Sequence, residues 1–263
     1  MAERTPLDRA HAAMETVEGD DAARLQFYER LADAELFVLL KAEEQGGQIE
    51  PELFDVEGTH YVLVFDRETR LTEFVGQAAP YAALSGRALA TMLAEEGMGM
   101  GVNLEVAPSS ILIPPEAVSW LDQTLGHAPE EIEARIETFS APAGLPETLI
   151  RALDTKLASA AGLAHSAYLV AVSYVGGGNG HLLGFVDALE GAHGALANAA
   201  NEALTFSGIE AGAMDVGFFT ASDPAAAKLV RAGLRFDLPQ PSSTVDTQPA
   251  APGSDPDKPP ILK

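Results

Sequence analysis

The chain has 263 residues, 47% of them apolar and 6% aromatic, and its 39 acidic side chains outnumber 16 basic ones for a formal charge of −23. That field repels phosphate backbones and anionic lipid headgroups, which are held chiefly by Lys and Arg, so neither nucleic acid nor membrane is expected as a partner. Cysteine is absent, which removes disulfides, thiolate catalysis, iron–sulfur clusters and cysteine zinc sites.

No stretch approaches the ~18 apolar residues of a bilayer span. The opening MAERTPLDRAHAAMETVEGDDAARL lacks the continuous apolar core of a secretory leader. A cytoplasmic protein of bacterial type is expected. The acidity reads as solubility and self-repulsion, with a dedicated cationic partner as the alternative.

Thr5-Pro6 sets a capping hydroxyl before a proline suited to the first turn of a helix. Leu7, Ala10, Ala13 or Met14, and Val17 then recur at helical spacing. Gly19 interrupts, and Asp20 can cap a second helix through Leu25, Tyr28 and Leu31. ELFVLLKAEE is a short apolar run bounded by charge, which suits a buried strand ended by Gly46-Gly47. THYVLVFDRETRLTEFVG predicts a hairpin: Tyr61 to Phe65 as one strand, Asp66 to Thr69 as the turn, Leu71 to Val75 as the return strand. Pro80 is expected to start a helix with Leu84, Ala88, Met92 and Leu93 inward, ending at Gly97 in the left-handed position past a helix C-terminus.

EEGMGMGVNLEV raises the question of a phosphate loop. A dinucleotide loop runs from strand into helix, so that phosphate meets the positive helix N-terminus. Here a helix precedes the glycines and a strand follows them. Gly97, Gly99 and Gly101 also miss the GxGxxG spacing, and no Walker lysine follows. The glycines are read as a change of direction. Ile111 to Ile113 is a short strand, and Pro114-Pro115 leads into a helix carrying Val118, Trp120 or Leu121, and Leu125. Trp120, the only tryptophan, is read as a packing residue, because one aromatic makes no cage.

The composition becomes turn-rich after Gly126, and a domain boundary is expected near Gly126 to Pro129. EIEARIETF reads as a strand with Ala134, Ile136 and Thr138 on one face; a helix through Ile132, Ile136 and Phe139 also fits. Pro146 opens a helix with Leu149, Ile150, Leu153 and Leu157 inward, ending by Gly162. SAYLVAVSYV and HLLGFVD are strands joined at the glycine turn 176–180. An alanine-rich helix, the strand MDVGFF, a helix opened by Ser222 or Asp223 and Pro224, and the edge strand LRFDL follow. This β-α-β-β-α-β order is that of a split-βαβ, ferredoxin-like sandwich, with two helices on one sheet face. From Pro239 the chain is proline-rich with almost no large apolar groups, and a disordered tail is expected. The expectation is an α+β protein of two domains, 1–127 and 128–238, each with a mixed or antiparallel sheet and packed helices, followed by the tail 239–263.

The residues carry no catalytic constellation. His11, His60, His127, His165, His181 and His193 form no HExxH or other zinc spacing, and GxSxG is missing. Adjacent carboxylates such as Glu95-Glu96 do not converge on one substrate. Ser109-Ser110, after Pro108 at a strand end, stand where exposed hydroxyls can meet a ligand. Hydroxyls there also bond the local backbone in a turn, which is the preferred reading. No catalytic residue, cofactor or metal ligand is assigned.

HYVLVFDRETRLTEFVG followed by a helix, GMGMGVNLEVAPSS and ILIPPEAVSWL resembles the N-terminal domain of the SseB family, the enhanced serine sensitivity proteins. In that family a strand–turn–strand with a Phe-Asp/Thr turn precedes a helix, and a later strand carries Val-Asn near a Pro-Ser turn. Val102-Asn103 and Pro108-Ser109 stand in those places. LPETLIRALDTKLASAAGLAHSAYLVAVSY is similar to the start of the family's C-terminal domain. The resemblance implies a cytoplasmic bacterial protein linked by its family name to serine sensitivity, and it brings no catalytic residues. The reading is a non-enzymatic module that binds or regulates a protein or small-molecule partner, with Asn103, Ser109 and Ser110 as candidate binding residues. A hydrolase or transferase assembled only in the fold, with the same three residues, is the alternative; a structural homo-oligomer is the third class.

Overall fold

Short local signals set the helix starts. The structure, a computed structural model, describes residues 4–16, 20–43, 49–126, 135–209 and 214–240. At its N-terminus α1 (Pro6–Thr16) opens on a reciprocal cap. The Asp8 amide donates to the Thr5 hydroxyl at 3.1 Å, and the Thr5 amide donates to the Asp8 carboxylate at 3.0 Å. In α2 (Asp21–Asp33), Asp20 accepts from the amides of Ala22 and Ala23, as expected of a capping aspartate.

β1 (Glu35–Leu39) follows as predicted. β3 (Thr59–Phe65) also forms, but its hairpin partner lies upstream: β2 (Leu53–Val56) turns into it through Glu57 and Gly58, both at positive φ. The expected return strand Leu71 to Val75 is instead part of the helix α3 (Glu68–Val75). Leu71, Phe74 and Val75 are spaced i, i+3, i+4, which fits a helical stripe as well as a strand. Gly76, at φ 73, closes that helix.

The segment after Pro80 begins as a strand, β4 (Tyr81–Ser85), which pairs along all of β1. Helix α4 (Gly86–Glu96) starts only after it, capped by the Ser85 hydroxyl. Its buried face is Leu89, Ala90 and Leu93; Ala88 and Met92 face solvent. The corner requires glycine, because a Cβ on Gly86 would lie 1.8 Å from the Leu31 carbonyl oxygen.

Gly97 sits at φ 65 past α4, and β5 (Gly99–Val102) follows. β5 runs parallel to β3 on one side and antiparallel to β6 (Ile111–Ile113) on the other. The strand order is β4-β1-β3-β5-β6, with β2 beside β3. One face is covered by α1, α2, α4 and α5 (Pro115–Gly126) around Phe27, Leu31, Val64, Met100 and Leu121. On the other face α3 packs its Leu71 against Leu39, Leu63 and Phe65.

The second sheet is built from β7 (Ile136–Ser140), β8 (Ser166–Tyr174), β9 (Asn179–Val186), β10 (Met214–Phe219) and β11 (Leu234–Asp237). Its order is β10-β9-β8, and the far edge of β8 is shared between β11 and β7. The expected β-α-β-β-α-β sequence of elements is present, but the strands are not interleaved as in a split βαβ. β9 and β10 pair directly in parallel. The strand reading of EIEARIETF holds from Ile136. A register shift between Ile136 and Thr138 puts Ile136 and Phe139, rather than Ile136 and Thr138, against the core. α6 (Glu147–Ala158) and α7 (His193–Phe206) cover one face through Leu149, Leu153, Leu196 and Ala200, and α8 (Pro224–Ala232) covers the other through Ala226 and Leu229.

The two sheet layers are joined at α7. Phe206 belongs to the core of the first layer, and Trp120 stands edge-on to Tyr28 and Phe206 at centroid distances of 5.3 and 6.4 Å. The packing role expected of Trp120 is therefore what it performs. The boundary expected after Gly126 and the tail beyond Gln240 lie outside the described residues.

Candidate functional site

Parallel neighbours in a sheet carry their C-terminal ends to the same side, which is where open sheets most often hold ligands. β3 and β5 are such neighbours, and the residues just past their ends are Asp66 and Asn103. Asn103 stands at φ 48, a left-handed conformation that Asn tolerates better than most side chains. It is fully buried, and its amide bridges two loops. Oδ1 accepts the Asp66 backbone N–H at 3.1 Å, and Nδ2 donates to Ser109 Oγ at 2.9 Å.

Ser109, also fully buried, donates to Asp8 Oδ1 at 2.7 Å. Asp8 is 1% exposed and is held by Arg70 of α3 in a two-pronged contact at 3.0 and 2.5 Å. Arg70 also donates to Asp66 at 2.7 Å. Asp66 Oδ2 is buried and has no hydrogen-bond partner. Burial by itself would raise the Asp8 carboxyl; the bonds from Arg70, Ser109 and the Thr5 amide outweigh it and hold that carboxyl well below the usual carboxylate range. Burial likewise opposes the charge on Arg70, but its two aspartates raise the guanidinium further.

Two of the three expected binding residues, Asn103 and Ser109, thus meet in one buried network. Ser110 does not join it. It is exposed, and its hydroxyl accepts the Glu105 amide across the same loop at 3.2 Å, which is the local turn bonding expected of that serine pair. The residues that complete the network, Asp8, Asp66 and Arg70, were not singled out in the sequence. Thr5 is visible there as a cap, and nothing along the chain pairs Asp8 with an arginine 62 positions later.

The accessible features lie elsewhere. A shallow depression of about 410 Å³ on the second sheet is lined by Thr138, Ser140, Ser173, Asn179 and His181. A groove of about 460 Å³ runs between α6 and β11, past Arg151, Thr155 and Arg235. Among the described residues no group of His, Asp and Glu is arranged to hold a metal ion. No helix among them is long and apolar enough to cross a membrane.

The α3 face of the first sheet is bare at its β2 and β6 borders. Phe54 pairs with Tyr61, which pairs with Gly99; Leu112 pairs with Gly101, which pairs with Leu63. Alternation along the strands sets these residues on one face. The glycines are needed there: a Cβ on Gly99 would lie 2.5 Å from the Tyr61 ring, and one on Gly101 3.0 Å from Leu104. At the borders Phe54 stays 46% exposed and Leu112 38% exposed.

Neither a curated protein nor a solved structure matches the chain. Residues 7–120 match the family of the SseB protein N-terminal domain. The match runs from α1 into α5 and takes in the first sheet together with the whole Asp8–Arg70–Asn103–Ser109 network. Over residues 7–120, a little under half of its length, the chain is similar to the SseB protein N-terminal domain.

Proposed function

We propose that this protein is a non-enzymatic, cytoplasmic binding or regulatory module that engages a cationic protein segment with an apolar anchor, through the bare face of the first sheet. The observation that carries this reading is a coincidence of charge and exposure. Phe54 and Leu112 are both solvent-exposed on that face. No lysine or arginine occurs from Ala42 to Asp66 or from Ala88 to Ala134, the stretches that supply β2, β3, β5 and β6. Asp55, Glu57 and Glu105 are exposed in the same stretches. Lys41, just outside them, is engaged by Glu50 at 3.0 Å. Exposed apolar side chains in stretches that carry carboxylates and no lysine or arginine attract a basic partner and give it somewhere to bury a side chain.

The alternative, a hydrolase or transferase using Asn103, Ser109 and Ser110, draws less support. The Ser109 hydroxyl already donates to Asp8 and accepts from Asn103, so its activation would require breaking the network that seats α1. The test uses a defined peptide of alternating lysine and leucine, with a lysine–serine peptide as control, titrated against the full chain at low and high salt. Phe54→Ser with Leu112→Ser leaves the net charge unchanged. It should weaken binding of the leucine peptide by about tenfold or more, the equivalent of burying one such side chain. Equal affinity of the wild-type and doubly substituted proteins would refute the proposal.

A further inference from the structure

The junction between the two layers is closed by charge as well as by Trp120. Lys156 of α6 is 6% exposed, and its Nζ lies 2.6 Å from Asp33, 2.9 Å from Glu202 and 3.8 Å from Glu29. Arg87 of α4 donates to both oxygens of Glu202, at 3.0 and 3.1 Å, and to Asp33 at 3.0 Å. Glu29 and Asp33 lie on α2 and Glu202 on α7, so each layer supplies one cation and at least one carboxylate.

The hydrogen bonds of the cage are not evenly shared. Asp33 and Glu202 each accept hydrogen bonds from both Lys156 and Arg87. Glu29 is the carboxylate left over. It is 1% exposed, its Oε1 has no hydrogen-bond partner among the described residues, and its other oxygen lies 4.0 Å from Arg30. The groups facing it are Arg30 and Asp33 from α2, Lys156 from α6 and Glu202 from α7, with Arg87 of α4 beyond them. A buried carboxylate without a hydrogen-bond donor is costly when charged and much less so when protonated.

We propose that docking of the two layers is linked to uptake of one proton by Glu29, so that the junction tightens on mild acidification. Protonation leaves two carboxylates facing Lys156 and Arg87, one for one, and turns Glu29 into a donor. The electrostatics run the same way. Burial, opposed in part by Lys156 and Arg30, pushes the Glu29 carboxyl above its ordinary value of 4.5, whereas Arg87 and Lys156 overcome burial at Glu202 and hold that carboxyl below it. A raised folded-state value means that the folded form carries the extra proton between 4.5 and the raised value. Stability therefore falls as pH rises through that window and stays lowered above it.

The test compares the full chain with Glu29→Gln, which is close in shape and always neutral. Urea unfolding is followed by Trp120 emission at fixed ionic strength from about pH 8 down toward the ordinary carboxyl range. Acidification also relieves the general self-repulsion of the chain, and taking the difference between the two proteins cancels that effect. Near pH 8 the variant's unfolding constant should be several-fold smaller, and the gap should close as the pH falls toward the ordinary carboxyl value. Glu29→Leu, which removes the hydrogen-bonding group altogether, should show the same convergence. A gap independent of pH in both variants, or both variants less stable than the wild type near pH 8, would overturn the proposal.

Discussion

Arg70→Met tests what holds the N-terminal helix to the sheet. Methionine keeps much of the apolar stem and deletes the guanidinium. Asp8 then retains only Ser109 and the Thr5 amide, and Asp66, whose Oδ2 is already unpartnered, loses its bond at Oδ1. The Arg70 and Asp8 side chains are 9% and 1% exposed, so solvent does little to screen the charge left behind. Breaking a buried pair from one side costs about 3–5 kcal/mol, a large part of the ~5–15 kcal/mol that keeps a protein folded. The assay is equilibrium unfolding in urea near neutral pH, repeated near pH 5. In the wild type the Asp8 carboxyl lies below its ordinary 3.8, so its contribution is complete above that value and is lost as pH falls through the range beneath it. In the variant burial is opposed only by Ser109 and the Thr5 amide, so the same carboxyl moves up and the deficit should shrink as the pH falls and Asp8 takes a proton. A loss under ~1 kcal/mol, the worth of a surface pair, would refute the reasoning, as would a deficit that ignores pH.

Two further outcomes follow from the same region and its neighbour. Asn103→Ala leaves the Asp66 amide without its acceptor and removes the bond that Ser109 accepts, and should cost about 2–3 kcal/mol by urea unfolding. Asn103→Gly should cost roughly 1 kcal/mol less, because φ 48 suits glycine; equal costs would mean that backbone strain plays no part. Gly86→Ala forces a Cβ toward the Leu31 carbonyl and should lower stability by about 1–3 kcal/mol or more, read as a fall in the thermal midpoint. An unchanged midpoint would show that the α2–α4 corner has room to spare.

Signals that are local in the chain were legible. Thr5 and Asp20 marked helix starts, Gly97 marked a helix end, and the order helix–glycine–strand argued against a phosphate loop. In the structure Gly99–Val102 is a strand paired on both sides. Where two periods fitted one segment, the sequence could not choose. Leu71 to Val75 alternates tolerably for a strand, yet it became a helix because the edges of β3 were taken by β1, β2 and β5. Tyr81 to Ser85 became a strand because β1 had a free edge for it. The candidate site was half legible: Asn103 and Ser109 stood out, while their partners lay on α1 and α3.

The sequence by itself determined the α+β character, the capped ends of the helices, the alternation of buried strand faces and the net negative charge. Each of these depends on residues within a few positions of one another. Only the tertiary structure decided strand order, which polar side chains are sealed and which apolar ones are bare. Asp8 with Arg70, and Glu29 with Lys156, become neighbours only when distant segments pack together, and their charge acquires its weight only when that packing removes water from around it.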